Sequence, residues 1–148
     1  MTVRVSPAPF DPGAETNAFL KAGNGAGAAV TFTGVVRSKS DDPITALTLE
    51  CYPELAINQL NDIVARATTR FDLLAATIIH RYGTLGPGEP IVQVMTLSPH
   101  RDPAFKAAEF LMDYLKTDAP FWKQETGPRG THWVEAKAED DAAKARWE

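Results

Sequence analysis

The sequence predicts an α+β fold: a mainly antiparallel sheet with packed helices, in a single domain over residues 1–148. Three observations carry that reading. Runs with a two-residue apolar alternation are interleaved with runs that trace a helical stripe. Neighbouring strand-like runs sit close together, as in hairpins, which argues against a doubly wound parallel sheet. The chain has 148 residues, 44% of them hydrophobic and 23% charged. A chain of that size buries roughly 70% of its unfolded surface without disulfides or metals.

The elements follow in order. Asp11-Pro12 is a helix-start signature, a capping carboxylate before a proline in the first turn, and a short helix over about 12–21 is expected. The Gly23-Asn24-Gly25 cluster ends it. Residues 28–37 read as a half-buried strand, with Val30, Phe32 and Gly34 on one face and Thr31, Thr33 and Val35 on the other. Gly34 inside it predicts a bulge or a close backbone approach. A polar loop, 38–43, precedes a second strand from Ile44 to Tyr52. Pro53 then opens a helix whose stripe is Ala56, Leu60, Ile63, Val64, Ala67 and Phe71. Leu73–Tyr82 and Ile91–Leu97 are strands, expected to pair antiparallel around a turn at 83–88; Ala76, Ile78 and His80 share a face of the first. Asp102-Pro103 repeats the capping signature before a helix striped by Ala104, Ala107, Ala108, Leu111, Met112 and Leu115, which Pro120 ends. Two short strands, Phe121–Glu125 and His132–Ala136, flank a turn at Gly127-Pro128-Arg129-Gly130, and the charged, alanine-rich stretch 138–147 reads as a terminal helical turn.

Composition excludes several classes. The net charge is −4, against the basic surplus of a general nucleic-acid binder. No apolar run approaches the ~20 residues of a membrane helix, and the start, Met1 to Pro7, has no apolar core of a signal peptide. The single cysteine leaves no internal disulfide framework and suits a reducing, cytoplasmic setting. His80, His100 and His132 form no metal-binding spacing, and no glycine-rich phosphate loop is present, so neither a metal nor a cofactor is expected.

Four groups of residues invite chemistry, each with a plainer reading beside it. His100 and Arg101 lie between a strand end and a helix start, where free amides and two cations suit a phosphate or carboxylate; the same residues also read as solvated side chains before a capped helix. Lys116, in a last helical turn, and Lys123, pointing opposite to Trp122 in a short aromatic strand, are candidates for lysines with lowered pKa values acting as bases or nucleophiles. Their plainer roles are a helix-dipole partner and a surface lysine. Arg37 ends a strand and reads as a phosphate clamp or a surface cap. Cys51, between Glu50 and Tyr52 with no cysteine partner, reads as a small half-buried apolar side chain or as a persulfide carrier.

Taken together and in order, these stretches resemble one family, the large catalytic subunit of molybdopterin synthase. The resemblance rests on Val30-Thr31-Phe32-Thr33-Gly34-Val35-Val36-Arg37, then Ala46-Leu47-Thr48-Leu49-Glu50 with Tyr52-Pro53. It continues through Ile79-His80-Arg81, Pro99-His100-Arg101, Asp113-Tyr114-Leu115-Lys116 and Ala119-Pro120-Phe121-Trp122-Lys123, to Glu125 and Trp133-Val134-Glu135. Residues 142–147 are similar to the family's tail. Two departures stand out: the loop 38–43 lacks a glycine often found there, and Cys51 occupies a position where the family requires no cysteine.

The resemblance implies an α+β fold with a hammerhead-like subdomain and a homodimer. Each protomer would bind a small ubiquitin-like sulfur-carrier subunit, giving a heterotetramer. It implies a sulfurtransferase that moves sulfur from the carrier's C-terminal thiocarboxylate to cyclic pyranopterin monophosphate, making the dithiolene of molybdopterin. Lys116 and Lys123 are then the catalytic lysines. Arg37, His100 and Arg101 form the anion pocket for the substrate phosphate, and Glu125 orients Lys123. The division of acid and base roles, and whether one protomer or two build the site, stay open. The competing expectation is a non-catalytic α+β module that binds an anion or a partner's tail, keeping Arg37, His100 and Arg101 without needing the lysines.

Overall fold

Val3 and Val5 alternate with polar neighbours and form strand β1 (Thr2–Ser6) in this computed structural model, which describes residues 2–135 and 137–148. Helix α1 (Pro12–Leu20) starts as expected: Asp11 Oδ1 accepts from the amides of Gly13 and Ala14 at 3.0 and 3.3 Å. Next come β2 (Ala28–Val35), β3 (Ala46–Glu50) and the long helix α2 (Pro53–Phe71). Strands β4 (Ala75–Arg81), β5 (Gly83–Leu85) and β6 (Pro90–Ser98) lead into α3 (Arg101–Asp118). A hairpin, β7 (Trp122–Gly127) and β8 (Gly130–Val134), and the helix α4 (Ala138–Ala145) complete the order.

Among the described residues, eight strands make two four-stranded sheets. The first has the order β1-β4-β6-β2. Its β4–β6 and β2–β6 pairs are antiparallel, while β1 runs parallel to β4. The sequence predicts no element over 2–6, because five residues with two valines carry almost no pattern; pairing with β4 decides the matter. The second sheet, ordered β5-β3-β7-β8, is antiparallel throughout.

Helices α2 and α3 cover one face of the first sheet. Leu60, Ile63 and Val64 from α2, Leu111 and Leu115 from α3, and Ile78 and Val94 from the sheet form one core. The helical residues among them are ones the stripes predicted. Helix α1 covers the opposite face, where the buried Gln93 donates through Nε2 to Pro12 O, Thr16 Oγ1 and Thr31 Oγ1. With both faces covered, β4 is buried along nearly its whole length rather than on alternate residues. A smaller core of Val36, Ile44, Leu47, Leu49 and Leu85 lies under the second sheet.

Three expectations need correction. The first residues of the expected turn at 83–88 form β5, paired with β3 from Leu47↔Leu85 to Leu49↔Gly83. Asp102 does not cap α3: the helix begins at Arg101, His100 is its N-cap without a side-chain bond, and Asp102 instead pairs with Lys106 one turn on at 3.0 Å. The second and third strands are also shorter than expected, ending at Val35 and Glu50. Ala136, the expected last residue of the final strand, lies outside the described residues.

The terminal helix is held by an aromatic cluster rather than by its own short length. Trp147 stands edge-on to Phe71 and Phe110, at ring-centre separations of 5.8 and 5.5 Å. Its Nε1 donates to Asp113 Oδ2 at 2.7 Å, and Arg70 donates to its carbonyl at 2.6 Å. Lys144 adds an ion pair to Asp118 at 2.8 Å. Among the described residues, no helix is long and apolar enough to cross a membrane.

Candidate functional site

Two chain reversals build the site. Helix α3 stops at Asp118, Ala119 turns extended, and Pro120 cannot donate the next helical hydrogen bond. The chain then folds back as β7 beside β3, with Lys123 opposite Leu49 and Val134. Lys116, in the last turn of α3, and Lys123, early in β7, thereby reach the same cavity of about 120 Å³. Phe32, Ile91, Val92, Met112, Leu115 and Phe121 give it an apolar side. Gly34 also lines it, at the register shift between Gly34 and Val35 on β2. A Cβ there would meet Val92 Cγ1 at 2.8 Å, so any larger residue would have to displace the Val92 side chain.

The apolar wall governs the electrostatics. Burial and then the neighbouring Lys116 ammonium pull the Lys123 pKa down to about 8, a trend that Lys137 adds to and the Asp140 carboxylate opposes. At pH 7 a lysine of that pKa is neutral about one-tenth of the time, roughly 300-fold more than an ordinary lysine. The site therefore holds a proton carrier poised near neutrality beside a second cation. His80 lines the same cavity, and its pKa is lowered to about 4 by burial, partly countered by its bond to the Arg81 carbonyl, with Lys123 and Lys116 lowering it further.

The remaining predicted residues are placed differently. Arg37 follows Val35, which lines the cavity, so it stands at the same end of the first sheet, exposed. His100 and Arg101 are exposed at the opposite end of α3, fifteen residues from Lys116, or ~22 Å along the axis. Glu125 shares a strand face with Lys123 by alternation but forms no ion pair with it among the described residues; the carboxylate that acts on Lys123 is Asp140. One chain thus brings Lys116, Lys123 and Arg37 to one end and leaves His100 and Arg101 at the other.

Cys51 lies elsewhere. It borders an open groove of about 740 Å³ with Tyr52, Trp122 and Trp133, where Tyr52 and Trp122 meet edge-on at 6.0 Å. Trp122 and Lys123 are consecutive in β7, so this groove opens on the strand face away from the lysines. Burial raises the Cys51 pKa, which disfavours the thiolate a nucleophile needs. Its structural reading fits better than the persulfide one.

Sequence reasoning missed His80 and Asp140. Alternation puts His80 on a strand face with Ala76 and Ile78, but nothing in its spacing ties it to lysines 36 and 43 residues later. Asp140 is one of a run of acids, Glu139-Asp140-Asp141, whose facing is set only by how α4 packs on α3.

Comparison with known proteins adds independent findings. A family model described as MoaE protein matches residues 5–118. The chain is 49% identical over 147 residues to the molybdopterin synthase catalytic subunit of Cereibacter sphaeroides, spanning 99% of this chain and 100% of that one. It is 50% identical over 144 residues to the subunit of the same description from Salmonella typhimurium, spanning 97% and 95%. Among solved structures, the molybdopterin biosynthesis MoaE protein of Burkholderia ambifaria superposes with a TM-score of 0.84 at 44% identity, covering 99% of this chain and 97% of that one.

Proposed function

Since the chain belongs to the MoaE protein family, we propose that it is the catalytic subunit of a molybdopterin synthase. It transfers sulfur from the C-terminal thiocarboxylate of a small carrier subunit to cyclic pyranopterin monophosphate. The observation that carries this reading is the lysine pair at one narrow apolar cavity, with Lys123 held near pKa 8. A thiocarboxylate is an anion with a nucleophilic sulfur. When that sulfur adds to an electrophilic substrate carbon and an oxygen group leaves that carbon with its electron pair, the carrier is left as a thioester, and attack of water on its carbonyl releases the carrier carboxylate and leaves the sulfur on the substrate. The Lys116 ammonium suits stabilisation of the oxyanion that develops on that carbonyl. Lys123, partly neutral at pH 7, suits proton transfer to and from water and the substrate. The apolar wall excludes bulk water and strengthens both effects.

Arg37, His100 and Arg101 remain the proposed phosphate ligands, in a site that two copies complete. Strand β2 is an edge of its sheet, with Phe32 42% and Val35 51% exposed. Pairing β2 with β2 of a second copy about a twofold axis places the start of one strand beside the end of the other. Ala28 is registered with Ser98, so the second copy's His100 and Arg101 would come beside Val35 and Arg37 of the first. A homodimer of this kind, with one carrier per protomer, is a heterotetramer.

The test is reconstitution of purified protein, thiocarboxylated carrier and the pterin substrate, reading dithiolene formation. Wild type is expected to turn over and Lys116→Ala to lose turnover while still binding the carrier. Wild-type turnover by Lys116→Ala, or full cellular function without both lysines, favours a non-catalytic binding module instead.

A further inference from the structure

His80 sits on the wall of the lysine cavity with its ring fixed on three sides. It is 7% exposed and lies between Val5 of β1 and Val92 of β6 in the sheet register. Its face stacks on Phe121 at 3.8 Å and an interplanar angle of 13°. Phe121 is two residues before Lys123, so the stack ties the ring to the strand that carries the lysine. Its Nδ1 lies 2.8 Å from the carbonyl oxygen of Arg81. A carbonyl only accepts, so Nδ1 carries the proton.

The other nitrogen is then determined. An imidazole buried beside two lysines stays neutral across the working pH range. With the proton on Nδ1, Nε2 presents a lone pair. No protein donor meets Nε2 among the described residues. It is not sealed in the core either: the buried side-chain atom left without a partner among the described residues is Gln93 Oε1. Nε2 therefore keeps contact with the cavity, where the donors are Lys116, Lys123 and water.

We propose that His80 is a positioning residue of the lysine site: its Nε2 accepts a hydrogen bond from a water that the Lys123 ammonium donates to, and through that water holds the ammonium toward the substrate. The role rests on the sulfur-transfer reading above. His80 is too weak a base to keep a proton there, so it acts as a fixed acceptor and not as a general base. The charged groups facing Lys123 are Lys116 from α3 and Asp140 and Lys137 from α4 and its lead-in. Two of these are cations. A neutral acceptor keeps Lys123 oriented without adding a third.

Two variants separate the two nitrogens. His80→Asn keeps a donor for the Arg81 carbonyl and lacks the acceptor; His80→Gln sets an amide oxygen where Nε2 stood. His80→Asn is expected to lose about ten-fold in kcat, with KM for the pterin substrate changed less than about two-fold. The alkaline limb of its pH–rate profile should move to lower pH, since the Lys123 ammonium loses an acceptor, and His80→Gln should restore both. Independently of turnover, the Lys123 titration midpoint, followed by NMR of ¹³Cε-labelled lysine, should fall in His80→Asn and recover in His80→Gln. An unmoved midpoint overturns the proposal. Should His80→Asn not fold, ¹⁵N NMR of wild-type imidazoles decides: an unprotonated Nε2 supports the proposal, and a protonated one overturns it. A wild-type protein inactive in reconstitution sinks the sulfur-transfer reading, while the two NMR measurements still judge His80.

Discussion

Replacing Lys123 with methionine should make the protein more stable and inactive at once. The folded protein holds Lys123 near pKa 8 against an ordinary value of 10.5. Between those values the folded state binds fewer protons than the unfolded state, so stability rises with pH through that window. Below about pH 8 the cost of charging the buried amine is present in full. At 1.36 kcal/mol per pH unit it amounts to about 3 kcal/mol. That figure is net of the attraction to Asp140, which opposes the burial and the Lys116 charge. Methionine keeps the unbranched stem that lines the cavity and removes the charge. Lys123→Met is therefore expected to gain up to about 3 kcal/mol at pH 7, or roughly 6–12 °C in Tm. The gain should shrink toward zero as pH approaches 10.5, where wild-type Lys123 is neutral in the folded state. Urea unfolding of both proteins at pH 7, 8.5 and 10 measures this directly. A variant less stable than wild type at pH 7, or a gain that stays flat with pH, would refute the reasoning.

Three further outcomes follow from the same contacts. Lys116→Met should raise the Lys123 titration midpoint above its wild-type position, because it removes the like charge beside it; a fall would contradict the assignment. Trp147→Ala empties the cluster with Phe71 and Phe110 and should cost about 3–5 kcal/mol by urea unfolding; a loss under about 1 kcal/mol means α4 is not anchored there. Cys51→Ala should keep sulfur transfer within about two-fold of wild type, and a folded but inactive variant revives the persulfide reading.

Much of this molecule is legible in one sequence where the signal is local. Of the stripe Ala56, Leu60, Ile63, Val64, Ala67 and Phe71, all but the half-buried Phe71 are buried in α2; in α3 the stripe's Ala104, Ala107, Ala108, Leu111 and Leu115 are buried, Met112 is half-buried, and Phe110 and Tyr114 are buried outside it. Asp11-Pro12 caps as its spacing says, yet the same dipeptide at 102–103 does not. There the chain enters the helix two residues earlier, and His100 takes the cap position. Strands β1 and β5 are too short to show a period, and both exist because a partner strand offers hydrogen bonds. At the site, the lysines are legible through ordered motifs, and their nearness follows from the Pro120 reversal. The role of His80 is not, because it depends on which nitrogen faces a backbone carbonyl. Nor is the separation of His100 and Arg101 from the lysines, which follows from the length of α3.

The two hydrophobic clusters are unequal, and this has a kinetic consequence. The first draws on α2, α3 and three strands; the second holds five buried side chains under β3 and β5. Strand β3 joins β7 across more than seventy residues of chain, so its ladder closes a long loop for little buried area. The smaller sheet then behaves as the weaker cooperative unit, opening and reclosing while the larger one stays folded. Lys123 rides on the weak unit and Lys116 on the strong one. Breathing of β7 would therefore part and rejoin the two amines, and backbone amides of β3 and β7 should exchange with solvent deuterium sooner than those of β4 and β6.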